Sequence, residues 1–278
     1  KSIVPLDKMG LPEARMNTLR MMLARPYGII LVTGPTGSGK TTTLYSILNE
    51  MNTESVNIMT LEDPVEYPMA RIRQASAADN PKMDFANGIR SMMRQDPDII
   101  LVGEIRDHET AEMAFRAAMT GHQVFSTLHA NSAVLAIARL LDLGIPASVM
   151  TGNLIGIVAQ RLVRLLCPKC KEPYTAGEVE KTLLAAPVKL PLTLYRAVGC
   201  PQCKGQGYKG RTSIMELLRF DMGLDDLLSR NARTPEISAY ARSNGFTTMA
   251  EDGLARVKAG ATSLEEVARV VDLTRVGT

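Results

Sequence analysis

The stretch that most constrains the fold is an apolar run that leads through a glycine-rich turn into a helical segment. Residues 28–33 read Gly-Ile-Ile-Leu-Val-Thr, and residues 34–41 match the pattern G-x-x-x-x-G-K-[ST]. In a strand–loop–helix setting, the loop N–H groups and the positive end of the helix dipole favour a phosphate group. The pattern therefore predicts a nucleoside triphosphate site. The residues predicted to bind the nucleotide are Gly34, Pro35, Thr36, Gly37, Ser38, Gly39, Lys40, Thr41 and Thr42.

Two side chains of this loop have predicted roles. The Lys40 ammonium is expected to reach the β- and γ-phosphates, and the Thr41 hydroxyl is expected to bind Mg²⁺. The alternative is a glycine turn that precedes a lysine by chance. We favour the phosphate site because the strand and the helix that the motif needs flank it on both sides.

The composition is typical of a soluble globular chain, with 45% hydrophobic and 22% charged residues. A net charge of +3 and an aromatic content of 4% without Trp predict no nucleic-acid partner. No apolar run approaches the roughly 18 residues that a membrane helix needs. The sequence starts at Lys1 without a methionine or a signal-peptide pattern. We interpret it as a fragment of a longer protein.

Apolar strands alternate with amphipathic helices, which predicts a three-layer α/β domain with a mainly parallel sheet. Strands are predicted at 28–33, 56–61, 99–102 and 123–129. Helices are predicted near 11–25, over 40–51, after Asp84, after Asp107, over 133–143 behind Ser132, and over 148–166. Residues 69–83 are predicted to be an irregular connection.

Acidic residues and a histidine follow three of the predicted strands. Glu62, Asp63 and Glu66 come after the second strand, Glu104 after the third and His129 after the fourth. In α/β sheets, functional side chains gather beyond the carboxyl ends of the strands. The pattern alone nevertheless favours a solvated acidic turn after the second strand, and a single strand-end histidine is more often a packed residue.

The four cysteines form two C-x-x-C pairs separated by 29 residues, and they are Cys167, Cys170, Cys200 and Cys203. Two such pairs predict a closed tetrahedral Zn²⁺ site with a structural role. Reduced or disulfide-bonded cysteines are the alternative. From residue 214 onward the pattern is predicted to be helical, with breaks near 233–235, 244–245 and 259–261. We therefore predict three domains: an ATPase domain over 1–166, a zinc-binding segment over 167–213 and a helical region over 214–278.

Taken together, the ordered motifs resemble those of the ATPases of type II secretion and type IV pilus assembly. The motifs are the phosphate loop at 34–41, the acidic "Asp box" at 60–67, the Walker B region at 94–107 and the "His box" at 120–133. The tetracysteine segment extends the resemblance to about residue 215. A phosphate loop alone matches many families, whereas this ordered set is specific to one.

The resemblance implies a RecA-like domain that hydrolyses ATP with Mg²⁺ at sites between the subunits of a homo-hexamer. It assigns Glu62 to the catalytic site, in place of the solvated acidic turn. Glu104 is then expected to orient the attacking water. His129 is expected to sense the γ-phosphate, and His122 is equally consistent with a structural role.

Three further residues, His108, Arg94 and Arg106, have predicted roles. His108 is predicted to be structural. Arg94 and Arg106 are candidates for phosphate or subunit contacts, and ion pairs with the neighbouring Asp96 and Asp107 are the alternative. Other arginines are implied to come from an upstream domain.

The tetracysteine segment is typical of the pilus-extension and secretion members of this family. The resemblance therefore implies a cytoplasmic ring, peripheral at the inner face of the bacterial inner membrane, with an inner-membrane platform protein as its partner. Two other hypotheses stay open on the sequence. One is a DNA-translocating or packaging P-loop ATPase, which DNA-stimulated turnover would favour. The other is a nucleotide-binding or zinc-ribbon module without turnover.

Overall fold

The computed structural model describes residues 2–77, 84–184 and 191–275. The chain forms two compact units, one of residues 1–159 with 217–246 and one of residues 160–216 with 247–278. The units interleave along the chain, whereas the sequence predicts three consecutive domains over 1–166, 167–213 and 214–278. None of the described helices has the length and apolar character of a membrane-spanning segment.

The first unit alternates strands and helices. Its first helices and strands, in chain order, are α1 (Glu13–Leu23), β1 (Gly28–Thr33), α2 (Lys40–Met51), β2 (Ile58–Glu62), β3 (Ile72–Ser76), α3 (Phe85–Met93), β4 (Ile99–Val102), α4 (His108–Met119), β5 (Gln123–Leu128), α5 (Ala133–Asp142) and α6 (Ala147–Met150). The chain continues through β6 (Leu154–Leu166), β7 (Glu172–Thr175), α7 (Glu178–Leu183), β8 (Thr193–Arg196), β9 (Tyr208–Arg219), α8 (Met222–Ser229), α9 (Thr234–Ser243), α10 (Met249–Lys258) and α11 (Leu264–Val270).

A seven-stranded sheet has the order β3-β2-β4-β5-β1-β6-β9. The neighbouring pairs from β3 to β6 are all parallel. Every residue of β1, β2, β4 and β5 is buried, which explains why these strands read as continuous apolar runs. The mainly parallel α/β sheet predicted from the sequence is confirmed.

Local signals fixed the helices of the first unit. The side chains of Asp84, Asp107 and Ser132 each accept a hydrogen bond from a first-turn N–H group, in α3, α4 and α5 respectively. Each of these helices was predicted to begin at or just after the capping residue. The predicted bounds of α2 also agree with the structure.

The helix predicted over 148–166 is wrong. A short α6 ends before Gly152, which has a φ of 80°, and β6 then runs from Leu154 to Leu166. β6 pairs in parallel with β1, and its residues 154–161 are all buried. Burial on both faces produces the apolar run at 154–159, and periodicity cannot distinguish such a run from a buried helix.

Two further strands differ from the predictions. Residues 72–76, predicted to be irregular, form the edge strand β3; residues 78–83 of that predicted connection lie outside the described residues. β9 extends to Arg219, so the helical region begins at α8 rather than at residue 214. The later helices are separated at the predicted breaks.

The second unit has its own core and an antiparallel pair of strands, β7 and β8. Val163, Leu194, Ile214, Leu254 and Val267 belong to a cluster of buried side chains within it.

A buried carboxylate lies in this second unit. Glu266 is 1% exposed, and it accepts hydrogen bonds from the backbone and side chain of Arg164 and from the side chain of Arg269. Burial raises the pKa of Glu266, but the hydrogen bonds and charges of the two arginines outweigh this effect and lower the pKa to about 2. The carboxylate is therefore a charged part of this core at neutral pH.

Candidate functional site

The phosphate loop connects the carboxyl end of β1 to the start of α2. Gly37 and Gly39 have φ values of 80° and 89°, in the left-handed region that favours glycine. Gly39 is the N-cap of α2 and has no side chain to bond the first-turn N–H groups. A phosphate can therefore take the place that a capping side chain has in other helices.

The Lys40 ammonium donates a hydrogen bond to the carbonyl oxygen of Gly34 at 2.7 Å. The lysine thus lies along its own loop and spans the turn that is expected to hold the phosphates. Thr41, the next residue, lines a cleft at the carboxyl edge of the sheet. Loop, lysine and threonine together fit a Mg²⁺-bound nucleoside triphosphate.

The same cleft contains both predicted carboxylates. Its lining residues include Thr41, Tyr45, Glu62, Glu66, Glu104 and Thr127. Parallel strands end at one edge, so β2 and β4 place Glu62 and Glu104 beside the helix that starts at Lys40.

Glu62 is 5% exposed, and each of its carboxylate oxygens accepts a hydrogen bond from a neighbouring side chain. The Tyr45 hydroxyl donates to its Oε1 at 2.5 Å and the Thr60 hydroxyl donates to its Oε2 at 2.7 Å. The Gln74 amide lies 3.5 Å from Oε2. Burial, together with the adjacent carboxylate, raises the pKa of Tyr45, so its hydroxyl remains protonated and donates.

Glu104 forms two ion pairs. Its Oε1 lies 2.6 Å from His129 Nε2, and its Oε2 lies 2.6 Å from Arg106 Nε. Its side chain is 16% exposed, while those of His129 and Arg106 are at least half exposed. A carboxylate held between the His129 imidazole and the Arg106 guanidinium at the surface of the cleft is well placed to exchange one partner for a ligand.

Two threonine hydroxyls fix the loops at this edge. Thr33, the last residue of β1, donates to the carbonyl of Ala130 at 3.0 Å and accepts from its N–H at 2.8 Å. Thr127 donates to the carbonyl of Gly103 at 2.6 Å. The segments that carry His129 and Glu104 are therefore attached to neighbouring strands.

Two other histidines considered from the sequence, His122 and His108, do not line this cleft. His122 precedes β5 and lies at the opposite edge of the sheet from the phosphate loop, with its Nδ1 2.8 Å from the Ala117 carbonyl. His108 contacts the Leu143 carbonyl through Nδ1 and Glu112 through Nε2.

The two candidate arginines, Arg94 and Arg106, have different surroundings in the structure. Arg106 pairs with Glu104, whereas Asp107 accepts from the N–H of Thr110 as a helix cap. Arg94 is exposed at the C-terminal end of α3.

Sequence reasoning missed the residues that hold Glu62. Tyr45 lies four residues after Thr41 in α2, a spacing that places both side chains on one helix face. Thr60 lies two residues before Glu62 in β2, on the same face of the strand. Gln74 belongs to the edge strand β3, which was not predicted, so no sequence signal placed it here.

The cysteines form a separate cluster in the second unit. The Sγ atoms of Cys167, Cys170, Cys200 and Cys203 all lie within 4.8 Å of one another. The contacts Cys167–Cys200, Cys170–Cys203 and Cys200–Cys203 measure 3.9, 3.8 and 3.7 Å. Zn–S bonds of about 2.3 Å in a tetrahedron require sulfur separations of roughly 3.8 Å. The cluster therefore fits a metal ion, and all four thiols are free of disulfides.

Backbone N–H groups point at these sulfurs. Cys203 Sγ accepts from the N–H groups of Cys200 and Gly207 at 3.2 Å each, and Cys170 Sγ accepts from Gly199 at 3.4 Å. Burial raises the pKa of Cys203, but the N–H groups of Cys200 and Gly207 and the neighbouring Cys200 and Cys170 thiols outweigh burial and lower the pKa to about 6. The Gly199 N–H lowers the pKa of Cys170, but burial and contact with the other thiols outweigh it and raise that pKa. Such N–H donors stabilise thiolates, the form in which sulfur binds metal.

The parallel sheet with a phosphate loop after β1, and with carboxylates at the same edge, defines the class of P-loop nucleoside triphosphatases. The family model described as "Type II/IV secretion system protein" matches residues 1–269, and the chain belongs to that family.

Relatives and solved structures agree with this assignment. The chain is 48% identical to the type II secretion system ATPase E of Vibrio cholerae over 265 residues, covering 95% of this chain and 52% of the relative. It is 46% identical to the type IV pilus assembly ATPase PilB of Myxococcus xanthus, covering 96% and 48%. The pilus retraction motor PilT with bound ADP superposes with a TM-score of 0.73 at 30% identity, covering 97% of this chain and 67% of that chain. The chain spans about half the length of the curated relatives it matches.

Proposed function

We propose that this chain is the ATP-hydrolysing part of a motor that powers pilin or pseudopilin fibre assembly, in type IV pilus extension or type II secretion. The observation that carries the proposal is the single cleft in which Thr41, Glu62 and Glu104 meet beside the phosphate loop, in a chain of this family. Relatives named as type II secretion and pilus assembly ATPases support a role in fibre assembly or secretion.

In the proposed mechanism, the loop N–H groups and Lys40 bind the phosphates of ATP, and Thr41 holds Mg²⁺. When bound, Mg²⁺ neutralises the charge that develops on the transferred phosphoryl group. Glu104 orients the attacking water and accepts its proton, and Glu62 fixes the polar surroundings of the nucleotide from the end of the neighbouring strand.

The ion pairs of Glu104 suggest how the site responds to ATP. Each of its oxygens already has a nitrogen partner, so movement of His129 or Arg106 would open that side of the carboxylate to water. A γ-phosphate attracts both groups. We propose that His129 transfers its interaction from Glu104 to the γ-phosphate and so frees the catalytic carboxylate.

The cysteine cluster is proposed to hold a structural Zn²⁺. Four thiolates close the coordination sphere and leave no open position for water or substrate. The metal would connect two segments 29 residues apart in the second unit.

The assembled state is part of the same proposal. Members of the family are expected to act as homo-hexamers that bind an inner-membrane platform protein, in the cytoplasm at the inner face of the bacterial inner membrane. ATP sites at subunit boundaries would take arginines from an upstream domain. Size-exclusion chromatography with light scattering, on this chain and on the full-length protein, tests that part separately.

The catalytic proposal is tested by steady-state ATP turnover of the full-length protein and two variants. Lys40→Ala is expected to abolish nucleotide binding. Glu104→Gln is expected to bind nucleotide but to lose at least about 100-fold in kcat, the range of a catalytic base.

A matched control exists for the second variant. Glu112 pairs with His108 and Arg116, so Glu112→Gln removes the same kind of charge from the same kind of ion pair outside the cleft. Its turnover is expected to stay at the wild-type level. Normal turnover in Glu104→Gln would remove Glu104 from the mechanism. Strong stimulation by DNA would favour the DNA-translocating alternative.

A further inference from the structure

The Tyr45 hydroxyl donates the shortest of the hydrogen bonds that the buried Glu62 carboxylate accepts. It donates to Glu62 Oε1 at 2.5 Å, from a side chain that is 1% exposed. Hydrogen bonds to a charged acceptor are stronger and more directional than neutral ones. The orientation of the Glu62 carboxylate is therefore set on one side by this hydroxyl and on the other by Thr60.

The direction of that hydroxyl is itself fixed. Its oxygen accepts from the backbone N–H of Glu66 at 3.3 Å and lies 3.4 Å from the Gln74 amide nitrogen. Since both neighbours are donors, the hydroxyl proton is left to point at Glu62. The ring of Tyr67 packs edge-on against the Tyr45 ring at 4.8 Å between centroids, which holds the ring in place.

Tyr45 also belongs to the helix that begins at the phosphate loop. It lies four residues after Thr41, and both side chains line the same cleft. One rigid helix turn therefore carries the proposed magnesium ligand at one end and the donor to Glu62 at the other. Any movement of this helix turn would reach the Glu62 carboxylate through the hydrogen bond from Tyr45.

We propose that Tyr45 is a positioning residue that aligns Glu62 with the nucleotide bound at Thr41. This inference rests on the proposed function, because it requires Glu62 to act on bound ATP. A purely structural tyrosine would satisfy a buried carboxylate without any effect that depends on Mg²⁺ or on turnover. The two roles make different predictions.

The experiment uses the full-length protein and the variants Tyr45→Phe, Glu62→Gln and their combination. Tyr45→Phe keeps the ring and its contact with Tyr67. Losing a hydrogen bond to a charged group is expected to lower kcat about tenfold, with the KM for ATP changed less than about twofold. The double variant is expected to have the kcat of Glu62→Gln alone, because Tyr45 acts through Glu62.

A binding measurement provides a readout besides turnover. The affinity of each variant for a fluorescent ATP analogue is measured by titration, with Mg²⁺ and with EDTA. Tyr45→Phe is expected to reduce the gain in affinity that Mg²⁺ produces and to leave the affinity in EDTA unchanged. The matched control is Tyr240→Phe, which removes the 2.9 Å hydrogen bond from Tyr240 to Asp221 outside the cleft.

The outcomes separate the inference from the proposed function. If Glu62→Gln loses turnover while Tyr45→Phe keeps it, or if the two losses multiply, Tyr45 is not a positioning residue. If Tyr240→Phe reproduces every effect of Tyr45→Phe, the cause is lost stability and the inference is overturned. Full turnover in Lys40→Ala would instead overturn the proposed function itself.

Discussion

Replacing Glu266 by Gln is expected to remove a pH-dependent part of the stability of the second unit. A fall in pKa from the ordinary value of 4.5 to about 2 corresponds to about 3 kcal/mol. The side chains of Arg164 and Arg269 are 46% and 54% exposed. Because water screens them, we expect Glu266→Gln to lower the free energy of unfolding by about 2 kcal/mol at pH 7.

The sign of the pH dependence follows from the lowered pKa. The contribution of Glu266 is fully present above the unfolded-state pKa near 4.5 and is lost as the pH falls toward about 2. The stability difference between the wild type and Glu266→Gln is therefore expected to shrink below pH 4.5.

Urea unfolding of both proteins between pH 3 and pH 7 measures this difference, and effects of acid on the cysteine cluster are common to both proteins. Glu265→Gln, an exposed neighbour, serves as the control and is expected to stay close to the wild type at every pH. A difference that stays constant with pH would refute the argument from Glu266 ionisation.

Three other changes test separate parts of the structure. Cys170→Ser is expected to reduce the zinc content per chain measured by mass spectrometry and to lower the melting temperature; full zinc content would contradict the cluster as its site. Gly88→Ala places a Cβ in steric overlap with Leu61 Cδ2 and is expected to cost about 1–3 kcal/mol in urea unfolding, so wild-type stability would show that α3 adjusts freely. Thr33→Val removes both hydrogen bonds to Ala130 and is expected to lower kcat severalfold while Thr33→Ser retains it; equal loss in both would point to packing instead.

The elements that could be predicted from the sequence are those whose determinants are local. Asp84, Asp107 and Ser132 stand immediately before the helices they cap, so each start was visible in the sequence. The phosphate loop and the strand ends at Glu62 and Glu104 were visible for the same reason. Their meeting in one cleft follows from the parallel order of β2 and β4.

The elements that escaped prediction depend on distant partners. Residues 154–166 form a strand because β1 provides a parallel neighbour, and their own apolar run allows a helix equally well. β3 is short, and its outward-facing residues Arg73 and Ala75 are exposed, so its pattern is weak. The contact of Gln74 with Glu62, made from that strand, therefore could not be predicted from the sequence either.

The glycine at the start of α2 makes the nucleotide a structural part of that helix. A capping side chain in place of glycine contributes roughly a few tenths of a kcal/mol to a helix. The chain forgoes this contribution at Gly39, while side chains cap six later helices of the described residues: α3, α4, α5, α8, α10 and α11. A bound phosphate would take the place of the capping side chain, and saturation at about 100 times Kd would add about 2.7 kcal/mol to the stability of the folded state. The first-turn amides of α2 should then exchange hydrogen with solvent quickly in the empty protein and slowly in the loaded one. Their exchange rates would follow occupancy of the loop even in a variant that never completes a turnover.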